Sequence, residues 1–235
     1  MARKLAFFAT TGLIGAAAFL TLGAVLSGVG WTDALHVWSG KASCRAGASS
    51  QQQVTLPFTA SDSLAVNLPA ASVHYQPEDR AEAVISGDPA LLEHVRIEAG
   101  ELSLDCEPGW FASRLDVKLS GPAITNWELL GSGNLTLSQI NQPRLQLSIK
   151  GSGNSSASGT VDAVDLSIFG SGSARLQDLT AKSVQANIYG SGDAKMTAQA
   201  DADISISGSG NVELFGRPVL RRSEIRGSGR ILQMP

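Results

Sequence analysis

The chain has 235 residues, a formal net charge of -3, 17% charged residues and 6% aromatic residues. That balance argues against a general nucleic-acid binder, which carries a strongly basic domain. Hydrophobic residues at 43% supply enough apolar surface for a core and exclude a disordered chain. Two cysteines exclude a disulfide-dense mini-protein and a zinc site made of cysteines alone.

In chain order, the first element is apolar. Arg3 and Lys4 precede an uncharged stretch from Leu5 to Val29, 25 residues long. A secretory signal core runs to roughly 7–15 residues and a membrane-spanning helix needs roughly 20, so this stretch is long enough to span. It also exceeds an ordinary buried core helix. The cationic start places the N-terminus inside and exports the rest. Residues 1–30 are therefore expected to form an uncleaved signal-anchor, a transmembrane helix. A cleaved signal peptide is the second reading, although Val25–Ser27 offers a poor cleavage site. Cys44 does not fit a lipoprotein acceptor, because Lys41-Ala42-Ser43 lacks the aliphatic residue expected three positions upstream. Residues 31–53, with Ala46-Gly47-Ala48-Ser49-Ser50 followed by three glutamines, read as a tether.

An exported body gives the two cysteines an oxidising compartment in which disulfides persist. A Cys44–Cys106 bridge would close a loop of about 60 residues, worth roughly 3–4 kcal/mol in the chain-entropy account. Two separate buried thiols are the alternative, since sequence does not show that the cysteines meet.

Beyond residue 54 the signal is a repeat. Gly-Ser-Gly recurs six times, beginning at Gly131, Gly151, Gly170, Gly190, Gly208 and Gly227, at intervals of 20, 19, 20, 18 and 19 residues. Before the motifs stand Leu145/Leu147/Ile149, Val164/Leu166/Ile168, Val184/Ala186/Ile188 and Ala202/Ile204/Ile206, with polar residues between. This period of two marks strands buried on one face. Shorter alternations follow several motifs, as in Leu135-Thr136-Leu137 and Val212-Glu213-Leu214. Each repeat therefore holds two strands, and repeats of this length bury their apolar faces only by stacking. The fold class expected is all-β, a parallel β-helix of coils about 19–20 residues long, with the N-terminal helix preceding it.

The motif glycines (Gly131, Gly133, Gly151, Gly153, Gly170, Gly172, Gly190, Gly192, Gly208, Gly210, Gly227 and Gly229) are read as structural turn residues that take positive φ at recurring corners. The middle serines would form a hydroxyl column, and the residues after the motif, mostly Asn, Asp or Ser, suit turns. Upstream, Leu64-Val66-Leu68, Val73-Tyr75, Val95-Ile97, Leu102-Leu104 and Val117-Leu119 alternate with irregular spacing, which predicts the same coil continuing over one domain, residues 54–235.

The repeated Gly-Ser-Gly-Asn/Asp motif, the alternating strands and the closing stretch from Gly216-Arg217-Pro218 to Gly227-Ser228-Gly229 resemble the head GIN domain of bacterial autotransporter-type adhesins. The resemblance covers roughly residues 55–235. It implies a β-helical, exported protein of the bacterial envelope and supplies no catalytic residues. With the signal-anchor, it places the domain in the periplasm at the inner membrane. A cleaved form, soluble in the periplasm or exposed at the surface, is the alternative.

Catalytic and metal-binding patterns are weak along the chain. Gly190-Ser191-Gly192-Asp193 evokes calcium β-roll repeats, but those recur about every nine residues with an acid in each; here the acidic position is filled only by Asp193. Asp165 and Asp203 share an outward column two coils apart, which sets them about 9.6 Å apart, at or beyond the limit for glycosidase carboxylates. His36, His74 and His94 have no partners at metal-ligand spacing. The reading is a non-enzymatic module that needs no cofactor or metal. An enzyme acting on envelope polysaccharide and a purely structural accessory are its alternatives.

Two features remain. Residues 217–235 carry Arg217, Arg221, Arg222, Arg226 and Arg230 against Glu224, net +4, leaving -7 for the rest. They form either a charged cap on an open sheet edge or a basic patch for acidic lipid or glycan. The position before each motif is Lys150, Phe169, Tyr189, Ser207 and Arg226, outward by parity. This column is either a corner packing pair or a ligand site, with Lys150, Phe169, Tyr189 and Arg226 contacting an acidic envelope glycan. The partners expected are the membrane, through the N-terminal helix, and an envelope glycan or envelope protein. Nucleic acid is not among them.

Overall fold

The computed structural model describes residues 43–44, 52–59, 61–108 and 114–234, which fall in one compact unit, Ser43–Pro235. The apolar stretch Leu5–Val29, and with it the expected signal-anchor, lies outside the described residues, as does most of the 31–53 tether.

The strands in chain order are β1 (Gln53–Leu56), β2 (Ser63–Asn67), β3 (Ser72–Pro77) and β4 (Glu82–Ser86), then a one-turn helix α1 (Pro89–Leu92). β5 (Val95–Glu98), β6 (Glu101–Leu104), β7 (Asp116–Gly121) and β8 (Asn126–Gly131) lead into four long strands, β9 (Asn134–Gly151), β10 (Asn154–Gly170), β11 (Ser173–Gly190) and β12 (Asp193–Gly208). β13 (Asn211–Phe215), β14 (Val219–Gly227) and β15 (Arg230–Met234) close the body.

The repeat builds a solenoid with two walls. Each Gly-Ser-Gly turns the chain from the end of one strand onto the opposite wall, where the next strand begins. β9 to β12 each run along the short wall and, past a register shift, continue on the long wall, pairing in parallel with their neighbours over both parts. On the long wall Ile149, Ile168, Ile188 and Ile206 stand in one ladder, and each is 0% exposed. The alternation read from sequence thus becomes a continuous apolar interior, with the polar residues between pointing outward.

Upstream the coil continues, but not in sequence order. β3 pairs with both β7 and the start of β9, while β2 pairs with both β6 and β8. The coil made by β6 and β7 therefore stacks outside the one made by β2 and β3, and the chain returns through β8 to the growing end. At this end β1, β4 and β7 pair antiparallel, as do β5 and β6. A uniform coil cannot end itself, so the irregular spacing upstream marks a cap. Buried Tyr75 and Trp127 pack here with ring centroids 4.9 Å apart. The Tyr75 hydroxyl donates to the Pro122 carbonyl at 2.7 Å, and burial pushes its pKa up. The disulfide Cys44–Cys106 is formed, and Ser43 pairs with Glu107 beside it, which ties residues expected to be tether into the body.

Although the first glycines from Gly151 onward are also crowded by the preceding coil, the two glycines of each motif differ in backbone conformation, which corrects the expectation that both take positive φ. The first glycine does so, from +86° at Gly131 to +143° at Gly208. The second does not. It lies where coil stacks closely on coil: a Cβ at Gly172 would overlap the carbonyl oxygen of Gly153 and sit 2.8 Å from Cγ2 of Ile149. Absence of a side chain, rather than backbone freedom, is what that position requires.

Candidate functional site

The outward side of the long wall is built from three columns in register. The outermost runs Asn126, Gln146, Asp165, Gln185, Asp203, Arg222. The middle runs Glu128, Ser148, Ser167, Asn187, Ser205, Glu224, and the third runs Leu130, Lys150, Phe169, Tyr189, Ser207, Arg226. All five residues expected in the candidate column are thus in one ladder. Phe169 and Tyr189 stack with centroids 5.0 Å apart and planes 6° apart, yet remain 43% and 47% exposed. The pair thus packs ring on ring and still leaves close to half of its surface in solvent.

The charges at the ends of the column are not free. Lys150 pairs with Glu128 at 2.5 Å. Glu224 accepts from Arg222 and from Arg226, each at 2.5 Å, and Asp203 registers beside Arg222, so two carboxylates stand against two arginines at that end. The hydrogen bond from Arg222, and then Arg226, hold the Glu224 carboxyl below the ordinary carboxylate range. A depressed carboxylate pKa favours folding above the unfolded value, and that contribution fades as pH falls through the folded one. For so exposed a cluster it is small. Arg222→Ala is expected to raise the Glu224 titration midpoint, read by carboxyl carbon NMR; an unmoved midpoint would mean that the pair does not persist in solution.

Asp165 and Asp203 fall in one column with Gln185 between them, as their spacing implied. Each faces a cation: Asp165 accepts from Arg144, and Asp203 registers beside Arg222. The serines of the motifs are outward, whereas the position after each motif forms a polar ladder in which Asn154 donates to Asn134 at 3.3 Å and Asn211 to Asp193 at 3.0 Å. Asp193, the residue that evoked calcium loops, is thereby used in coil stacking. Among the described residues, His94, Asp105 and Cys106 have ligand atoms close together, but the Cys106 sulfur is committed to the disulfide and His94 to Asp105 at 2.7 Å.

Sequence parity located the column but missed its surroundings. A shallow groove of about 180 Å³, lined by Ser63, Gly100, Asn126, Glu128, Gln146 and Ser148 among others, continues the long wall toward the cap. Because the cap strands stack out of order, no linear pattern could place Ser63 or Gly100 beside Ser148.

A two-walled parallel β-solenoid defines the class of the protein, with Phe169 and Tyr189 stacked and partly exposed on its long wall. Within that class, the chain belongs to the family described as "Putative auto-transporter adhesin, head GIN domain", whose model matches residues 62–218. Among solved structures, a "putative adhesin" from Bacteroides fragilis is similar at 16% identity and a TM-score of 0.59, over 79% of this chain and 98% of that one. A "putative lipid binding protein" from Parabacteroides distasonis is 18% identical over the same shares, with a TM-score of 0.46. These likenesses concern the fold. No curated protein matches the chain.

Proposed function

We propose that this protein is a non-enzymatic binding module of the bacterial cell envelope, anchored by a helix over residues 1–30 and holding an extended glycan along its long wall. The observation that carries the reading is the stacked, solvent-exposed Phe169–Tyr189 pair on a wall whose neighbouring outward columns are polar. Exposed rings present apolar faces to sugar rings, and the tyrosine hydroxyl adds a polar group. Flanking Ser167, Asn187 and Ser205 offer hydroxyl and amide partners. From Lys150 to Arg226 the column spans four coil spacings of ~4.8 Å, about 19 Å, which suits a chain lying along the solenoid axis. An acidic group on the glycan is met at the Arg226 end, where the arginine side chain stays exposed beside Glu224; at the Lys150 end Glu128 cancels the lysine. The anchor would hold the body in the periplasm, and a cleaved signal would release it.

The test is binding of purified cell-wall and outer-membrane glycans, with released reducing sugar measured in parallel. Phe169→Ala/Tyr189→Ala is expected to weaken binding about tenfold or more, about 1.4 kcal/mol. Lys150→Ala/Arg226→Ala is expected to weaken it less, because exposed ion pairs are worth about 0–1 kcal/mol. Both variants should keep the wild-type melting temperature, since these side chains are outside the core. Turnover of glycan, or equal binding by the ring-deleted protein, would overturn the reading.

A further inference from the structure

We propose that the basic C-terminal end of the solenoid docks onto the acidic N-terminal end of a second copy of this chain, so that the bodies associate head to tail. Of the glycan column only Arg226 lies on the C-terminal edge strand, and the residues varied below are outside that column, so the two proposals are tested separately.

At the C-terminal end the last described coil has an open side. β14 and β15 each pair on one side only, with β12 and β13, so each presents a free row of backbone donors and acceptors among the described residues. Ile225 registers with Ile206 and so points inward, yet it is 41% exposed where Ile206 is 0%. Leu220 and Ile231 are likewise inward by register and only partly covered. A further coil laid on this end would bury them as every preceding coil buries its neighbours.

Among the described residues, the opposite end also has free edges. β5 pairs only with β6 and β1 only with β4, and Val54, Leu56 and Ile97 are partly buried there. A lipid surface fits the C-terminal end less well, because unpaired strand edges are costly in hydrocarbon. A protein edge satisfies both the free backbone rows and the inward apolar residues.

Charge selects which protein edge. Residues 217–235 carry five arginines and one glutamate, whereas residues 52–108 carry ten carboxylates and two arginines. Arg217 and Arg230 have no side-chain partner among the described residues, and Glu93 and Glu98 are exposed on and beside β5. Two C-terminal ends repel each other, as do two N-terminal ends, while unlike ends attract. The arginines therefore block edge pairing between like ends, as charges on edge strands do, and leave one orientation open. Such a contact is heterologous and extends beyond a dimer unless something closes it.

The full-length protein in nonionic detergent, followed by light scattering across a concentration series, tests this. At low salt the mean mass should rise with concentration, and about 0.5 M salt should return it to monomer. Arg217→Glu/Arg230→Glu and Glu93→Lys/Glu98→Lys should each remain monomeric with unchanged melting temperatures. Mixing the two variants should restore association, because their altered ends are complementary. A wild type that stays monomeric at low salt, association that either variant retains, or no restoration on mixing would each overturn the proposal. Recovery on mixing also excludes association through the N-terminal apolar segment, which both variants share.

Discussion

Gly172→Val is expected to destabilise the body by about 3 kcal/mol or more, at the upper end of overpacking effects. The coils stand one strand spacing apart, held by bonds such as Gly172 N–H to the Gly151 carbonyl at 3.1 Å and Ser173 N–H to the Gly153 carbonyl at 3.2 Å. A valine side chain would overlap the Gly153 carbonyl and press on Ile149, both parts of the preceding coil, so relief requires breaking that ladder. Damage spreads, because each coil depends on its neighbours for its buried face. Gly131 separates this mechanism from backbone strain. It has φ +86°, but a Cβ there would meet nothing within 4 Å, so alanine should cost only about 1–2 kcal/mol of left-handed strain. Urea unfolding of Gly172→Ala and Gly131→Ala gives the comparison. A larger loss at Gly131 would contradict the assignment of crowding to the second glycine.

Removal of the disulfide is the second large effect. Cys44 and Cys106 are 62 residues apart, so their bond restricts a long loop of the unfolded chain, and Cys44→Ser/Cys106→Ser should cost roughly 3–4 kcal/mol. The bridge lies where the chain enters the cap, among the antiparallel strands outside the regular stack. Its loss should lower the melting temperature by about 10 °C, from ~2–4 °C per kcal/mol for a body of this size. Reductant should lower the wild-type midpoint to that of the double variant and leave the variant unmoved. A wild-type midpoint indifferent to reductant would show that the bridge contributes nothing to stability.

How much was legible follows from periodicity. Where six glycine motifs recur at 18–20 residues, strand polarity, register and outward columns could all be read, down to the pairing of Phe169 with Tyr189. Parity alone carried that, since neighbouring coils differ by at most one or two residues and the difference is absorbed at the register shifts. The capping end was not legible. Leu64-Val66 and Leu102-Leu104 alternate like any strand, but nothing local says that β6 stacks outside β2 or that β5 runs antiparallel to it. Contacts between segments far apart in sequence leave no period behind. The roles of the two glycines were blurred for a different reason. A residue with no side chain reads alike whether backbone conformation or close approach requires it. The ion pair that cancels Lys150 depends on Glu128, two positions along the neighbouring strand, which only the coil register brings to it, whereas Glu224 stands two residues from Arg226 on the same strand and was open to the same parity.

The central claim is that the long wall is the ligand face. The most direct measurement is an NMR footprint on the full-length protein, titrated with the envelope glycan fraction that binds most strongly. The account predicts shifts at Phe169 and Tyr189 that extend through Ser148, Ser167, Asn187 and Ser205, with the outward residues of the short wall, such as Arg175 and Lys195, unmoved. Shifts confined to the short wall, or to the two ends of the solenoid with the rings silent, would contradict it.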